Sequence, residues 1–282
     1  MKILAATIGI VLLLATIGPF TVFAQTEPNE SDKPMKRLFN DFSTNWSGHY
    51  VTNSNGYTYA SASWIVPTIS TSSSGYSSAW VGIGGVSGTG NLIQTGTDQD
   101  CTTGTTTAGE LKYHGLEAKP TNSGKGGGSG GGSKSCTPTY YAWYEAYPAP
   151  EVKIANFVVT PGDVITASVT KSNENWVITI NDITAQETFT TTVSNFTPDQ
   201  TTAEVIMERP ALCFVTCKLT NLANFGQIQF TNATATSSTT NTFDNILSDA
   251  PITMVNNSFK LLASPSPITN PGTFTDTWYR SS

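Results

Sequence analysis

The chain has 282 residues, 12% of them charged, and a formal net charge of -6 at pH 7. An average soluble domain carries about twice that share of charge, and disorder would show few aromatics, whereas 10% of this chain is aromatic. A folded, sparsely ionised, acidic protein has little with which to neutralise a phosphate backbone, which excludes nucleic acid as a partner.

Residues 1–24 read as an export signal, with a membrane anchor left in place as the alternative. Met1-Lys2 precedes the apolar run Ile3–Ile17, and Val22-Phe23-Ala24 supplies the small residues of a cleavage site. After its removal no segment approaches a spanning length, so a secreted protein with no stable membrane partner is expected. Residues 25–44, with Lys33, Lys36 and Arg37, read as a linker or short pro-segment, and 45–282 as a single, monomeric domain. Four cysteines in an exported chain suggest two disulfides. Three pairings are possible, and Cys101–Cys136 with Cys213–Cys217 is favoured because each closes a local loop. Asn45, Asn195, Asn232 and Asn256 begin glycosylation acceptor triplets, which also arise by chance in a Thr-rich chain.

From Tyr57 onward the pattern is that of strands. Tyr57–Val66 stops at Pro67, Ser78–Ile83 at Gly84-Gly85, and Asn91–Thr95 at Gly96. Tyr141–Tyr147 and Lys153–Thr160 end at prolines, and Asp163–Thr170, Trp176–Ile180, Glu187–Val193, Ala203–Met207, Gln227–Thr231 and Ile252–Val255 follow. No stretch sustains a helical apolar period, so the fold expected is all-β, a sandwich or a closed barrel. One region departs from this pattern. An excursion near residues 99–139 contains Lys125-Gly-Gly-Gly-Ser-Gly-Gly-Gly-Ser-Lys134, which reads as a flexible loop tip held at its base by Cys101–Cys136. Its Gly127-Gly-Ser-Gly-Gly131 fits G-x-S-x-G in composition only, without the strand and helix of a nucleophile elbow.

The common hydrolase signatures are absent. His49 and His114 are the only imidazoles, with no neighbours at ligand spacing, so no metal and no cofactor is expected. Catalysis must fall to carboxylates, amides and backbone. Gln94 stands in an otherwise apolar strand start, where a buried amide needs partners or a cleft. Tyr141, Trp143, Glu145 and Tyr147 share one face of a strand, either as a ligand-binding strip or as outer-sheet packing. Glu204, Ile206 and Glu208 share a face of another, with Glu208 either a solvated strand end or a group at the rim of a cleft.

Taken together, Asn45-Trp-Ser-Gly48, Trp80-Val-Gly-Ile-Gly-Gly85, Leu92-Ile-Gln-Thr-Gly-Thr-Asp98, Ala142-Trp-Tyr-Glu-Ala-Tyr-Pro148 and Ala203-Glu-Val-Ile-Met-Glu208 resemble, in order, the blocks of the glutamic peptidases, or eqolisins. The resemblance implies a sandwich of two antiparallel sheets with lectin-like architecture. It implies catalytic residues Gln94 and Glu208, a cleft shaped by Trp80 and supported by Asp98 and Glu145, and unfolded proteins or peptides as substrates. Tyr141, Trp143 and Tyr147 would wall the cleft. Two departures stand out: Gly84 where many relatives carry Asp, and an excursion between Asp98 and Tyr140 far longer than the usual tight turn. Alternatives of another class are a carbohydrate-binding, lectin-like module and a glycosidase using Glu145 and Glu208, for which the partners of Glu208 discriminate.

Overall fold

The computed structural model describes residues 41–282 except 73, 87–89, 105–108, 116, 121–134, 238 and 247. Residues 1–24, expected to be an export signal, residues 25–40 and the glycine-rich stretch at 125–134 lie outside the described residues.

The strands are β1 (Asp41–Ser43), β2 (Trp46–Thr52), β3 (Tyr59–Ile65), β4 (Ser78–Ile83), β5 (Leu92–Thr102), β6 (Leu111–Tyr113) and β7 (Thr137–Tyr147). They continue as β8 (Val152–Lys153), β9 (Val164–Ser172), β10 (Asn175–Asp182), β11 (Glu187–Val193), β12 (Thr202–Glu208) and β13 (Ala211–Cys213). The chain closes with β14 (Cys217–Leu219), β15 (Gln227–Thr236), β16 (Thr240–Thr242), β17 (Ala250–Val255), β18 (Leu261–Pro265) and β19 (Phe274–Trp278).

The order β11-β10-β9-β3-β15 forms one layer and β17-β2-β12-β4-β5-β7-β8 the other. β19 and β18 join them along one side, so the two faces of the sandwich belong to one continuous ladder. Every pair in that path is antiparallel, while β1 adds to β17 in parallel. β1 thereby brings residues 41–43, which the sequence had assigned to the linker, into the sheet. β6, β13 and β14 make a small separate sheet.

Alternation explains the core. In β10, Trp176, Ile178 and Ile180 are buried and their neighbours half-exposed, so one face meets the opposite layer. β3 and β9 lie against β4, and β9 and β10 against β5. Trp64, Ile165, Trp176 and Phe230 thus pack with Val81, Ile93, Val205 and Met207. Burying side chains of this size contributes roughly 1.5–3 kcal/mol each.

Two expectations about strand ends change. Gly96 does not end its strand, because β5 runs on to Thr102 paired with β7 throughout. Gly96 sits between Trp80 and Trp143 in the ladder, where a Cβ would lie 2.1 Å from the Ala79 carbonyl and 2.6 Å from the Trp80 Cβ. Here the glycine permits close approach rather than a turn. Of the strand expected at Lys153–Thr160, only the pair Val152–Lys153 forms. Asn156 adopts a left-handed φ of 62°, and Ile154, Phe157 and Val159 are buried without a ladder. Both expected disulfides are present.

Candidate active site

Three rows of residues cross the outward face of the β2-β12-β4-β5-β7 layer. The first is Trp46, Glu208, Ser78, Asp98 and Tyr141; the second Gly48, Ile206, Trp80, Gly96 and Trp143; the third Tyr50, Glu204, Gly82, Gln94 and Glu145. Because side chains alternate, each row presents every second residue of its strands to the same surface. The five blocks of sequence therefore converge on one face, opposite the core.

Glu208, the last residue of β12, accepts hydrogen bonds from Trp80 Nε1 at 2.9 Å and Asn45 Nδ2 at 3.3 Å. The Trp80 ring meets Trp46 edge to face at 4.8 Å, which fixes the indole and with it the carboxylate. Gln94 Nε2 donates to Glu145 Oε2 and to the main-chain carbonyl of His114, both at 2.7 Å. Trp143 donates to Ser78 Oγ, and Tyr147 packs at the edge of the aromatic floor. Asp98 and Asp100 pair with Lys112 Nζ, which also donates to Tyr141.

The side chains of Gln94 and Glu208 share no hydrogen bond with each other. His114 stands between them. Its main-chain N–H donates to Glu145 at 3.2 Å, its carbonyl accepts from Gln94, and its Nδ1 lies 3.7 Å from Glu208 Oε2. The imidazole stacks on Trp143 at 3.6 Å and bonds Glu151 through Nε2 at 2.7 Å. The chain continues past it, with the Gly115 carbonyl on Trp46 Nε1, the Glu117 N–H on the Gly85 carbonyl, and the Ala118 N–H on Asn45 Oδ1. Part of the excursion thus lies across the face as a peptide. Gln94, Trp80, Glu145 and Glu208 are 0% exposed beneath it, so Glu208 is neither a solvated strand end nor an open rim group. A cavity of about 670 Å³ opens beside this face, lined by Tyr76, Glu110, Leu212, Phe214, Val215 and Lys218.

Burial dominates the electrostatics. It raises Glu208 above the ordinary carboxyl range, although His114, Trp80 and Asn45 favour its anion. Burial raises Glu145 well above that range, with Glu208 and Glu151 adding to the effect and His114 opposing it. Asp100 is pushed up to about 7 by burial despite Lys112. Asp98 goes the other way, because Lys112 and His114 outweigh its burial. Burial alone would lower His114, but Asp98, Glu151 and Glu208 hold its imidazolium well above the usual value. Asp98, His114 and Glu151 bring metal-ligating atoms within 4.8 Å of one another, yet their charges are met by Lys112 and by each other.

Sequence reasoning missed the partners that converge here. His114 has no neighbours at ligand spacing in sequence; its partners come from β5, β7 and β12 and, in Glu151, from just before β8. Asn45 and Trp46 were legible only as part of a block. Because Asn45 is 2% exposed and bonded to Glu208 and Ala118, it does not present a glycosylation acceptor. His49 lies on the other face of β2, bonded to Asp249 and the Ser266 carbonyl. It orders the core there.

Gly84 also has a structural reason. Its φ is +98°, and a Cβ would come within 2.5 Å of the Asn91 carbonyl and 2.6 Å of the Asp199 carbonyl. An aspartate at this position has no room in this backbone. Gly84→Asp is expected to cost at least ~2 kcal/mol through φ strain and the clash, read as a lower urea midpoint at unchanged m-value.

A two-layer β-sheet fold with a carboxylate, an amide and a peptide laid across them defines a peptidase-like architecture. The chain belongs to the Peptidase A4 family, the glutamic peptidases, which it matches over residues 44–113 and 121–274. It is 29% identical to Aspergillopepsin-2 of Aspergillus niger over 236 residues, covering 73% of this chain and 71% of that protein. Scytalido-glutamic peptidase, solved with a transition state analog inhibitor, superposes with a TM-score of 0.64 at 24% identity over 84% of this chain and 98% of its own. Aspergilloglutamic peptidase from Aspergillus niger gives 0.52 at 25% identity over 73% and 99%. The chain is a glutamic-type peptidase; the family match retires the lectin-like and glycosidase alternatives, whereas the partners of Glu208 do not discriminate, being Trp80, Asn45 and His114 rather than Gln94 or Glu145. The unmatched residues 114–120 begin at His114.

Proposed function

We propose that the protein is a secreted endopeptidase that cleaves unfolded proteins and peptides in acid, with Glu208 as general base and Gln94 as oxyanion donor. One observation carries this reading: Gln94 Nε2 holds a peptide carbonyl at 2.7 Å while Glu208, oriented by Trp80 and Asn45, lies beside the same residue. Glu208 takes a proton from the attacking water and returns it to the leaving amine. Gln94 donates to the oxygen as charge develops on it, and an amide remains neutral throughout the acidic range. Glu145 accepts from Gln94 and so orients its NH₂ group. The aromatic side chains of Tyr141, Trp143 and Tyr147 wall an extended substrate, with Trp80 beneath it. Residues 1–24 as an export signal, one catalytic domain after it, and two disulfides fit an oxidising compartment.

Hydrolysis of casein or a peptide library at pH 2–5, persisting with a pepsin-type inhibitor, tests the class. Gln94→Ala is expected to lose on the order of 10²–10³ in kcat. Undiminished turnover in that variant would remove Gln94 from the mechanism.

A further inference from the structure

The excursion does something that no block of the family requires. Leu111–Tyr113 pairs antiparallel with Ala211–Cys213, as an extended peptide adds to a sheet edge. From there its main chain uses the polar groups of the site one after another. His114 N–H goes to Glu145 and its carbonyl to Gln94, the Gly115 carbonyl goes to Trp46, and Ala118 goes to Asn45. Two of its side chains are anchored as well, Lys112 on Asp98 and Asp100, and His114 on Trp143 and Glu151. The carbonyl that meets Gln94 belongs to the His114–Gly115 peptide bond. Among the described residues, an ideal Cβ at Gly115 would have nothing within 4 Å, so these leave the residue after that carbonyl uncrowded.

We propose that Lys112–Gly115, with Glu117 and Ala118 beyond, is a substrate-like peptide bound in cis, and that the enzyme opens its cleft by hydrolysing its own His114–Gly115 bond. This rests on the assignment of Gln94 and Glu208 above. Glu208 removes a proton from water, and the water oxygen bonds to the His114 carbonyl carbon while Gln94 holds the oxyanion. The proton then passes from Glu208 to the Gly115 nitrogen as the C–N bond breaks, leaving a carboxylic acid on His114, which keeps the second proton of the water, and an amine on Gly115. Cys101–Cys136 spans the cut, so the two pieces stay covalently joined. Before the cut the chain is latent, because its dyad is sealed. Afterwards the new ends can leave the face, and Glu208 is hydrated.

The test uses the full chain, freshly purified and held in parallel at pH 4, 5.5 and 7, with samples followed by gel electrophoresis and mass spectrometry. The expected result is one band without reductant and two with it, the second beginning at Gly115. The cut should be first order, with a rate constant independent of protein concentration over a 100-fold range. Hydrolysis of an added peptide should rise with the same rate constant after a lag. Glu208→Gln should stay whole. A synthetic Leu-Lys-Tyr-His-Gly-Leu-Glu-Ala-Lys peptide should be cut between His and Gly by opened enzyme. An intact chain that hydrolyses added peptide from time zero, or a cut at another bond, or one whose rate scales with concentration, overturns the proposal while leaving the peptidase assignment standing. Failure to cut either the chain or any added peptide overturns both.

Discussion

A Glu208→Gln enzyme is expected to lose about 10⁴ in kcat/KM, the upper end of what a general base contributes, while keeping its fold. The amide oxygen of Gln can still accept from Trp80 or Asn45, which now hold the carboxylate, so the side chain has reason to stay in place. What it loses is the ability to take a proton from water. Stability should change little, because burial already disfavours the ionised Glu208 that the substitution removes. The measurement is a pair of initial-rate series on an unfolded substrate with a thermal melt on the same samples. A folded variant that retains full activity would exclude Glu208 as the base and direct attention to Glu145, the other buried carboxyl beside Gln94.

Stability itself should depend on pH in an unusual direction. Glu145, Glu204 and Asp276 are carboxyls held above their ordinary values by burial, Asp276 at about 7. A folded-state pKa above the unfolded one means that the native protein binds more protons between the two values. Stability from such groups is therefore full below about pH 4 and declines as pH rises toward 7. His114 has the same sign and adds a further loss above its ordinary value near 6.5. Asp98, held low by Lys112, opposes this only under strong acid. For Asp276, 0% exposed and bonded to Ser47, a rise from 3.8 to about 7 corresponds to roughly 4 kcal/mol between pH 4 and 7. At about 2–4 °C per kcal/mol for a domain of this size, the melting temperature should fall by on the order of 10 °C across that interval from this residue alone. Asp276→Asn should flatten the dependence, since Asn keeps an acceptor for Ser47 and cannot ionise. A wild-type melting temperature that rises between pH 4 and 7 would contradict the account.

These buried acids give the low charge of the chain a second meaning. Few basic residues limit self-repulsion once exposed carboxylates are protonated. The carboxyls that matter are inside, where acid favours rather than opposes burial. Composition alone could point to acid tolerance but not to which carboxyls confer it.

Much of the architecture was legible because β-structure leaves a local signature. Ser78–Ile83 and Glu187–Val193 coincide with their strands, and Ala203–Met207 falls one residue short at each end, since alternation and turn residues act over a few positions. The failures have local causes as well. Gly96 signals a turn by type but serves the packing of two tryptophans, and Asn156 breaks a run whose apolar residues otherwise suit a strand. β2, the strand carrying Trp46, was missed because its mix of Ser, Gly and His conceals a position that is central in the sheet and buried on both faces.

By itself the sequence determined the all-β class and the five blocks that mark the family, and favoured the disulfide pairing that the structure shows, because each depends on residue type and short spacing. Only the tertiary structure decided that Gln94 and Glu208 lie on either side of His114. That residue opens the short stretch 114–120 that lies outside the family match, and its partners sit on β5, β7 and β12 and, in Glu151, just before β8. The same crossing explains why Gln94, Glu145 and Glu208 on that face are buried. Alternation says which side chains share a surface, but only the folded chain determines what lies across it.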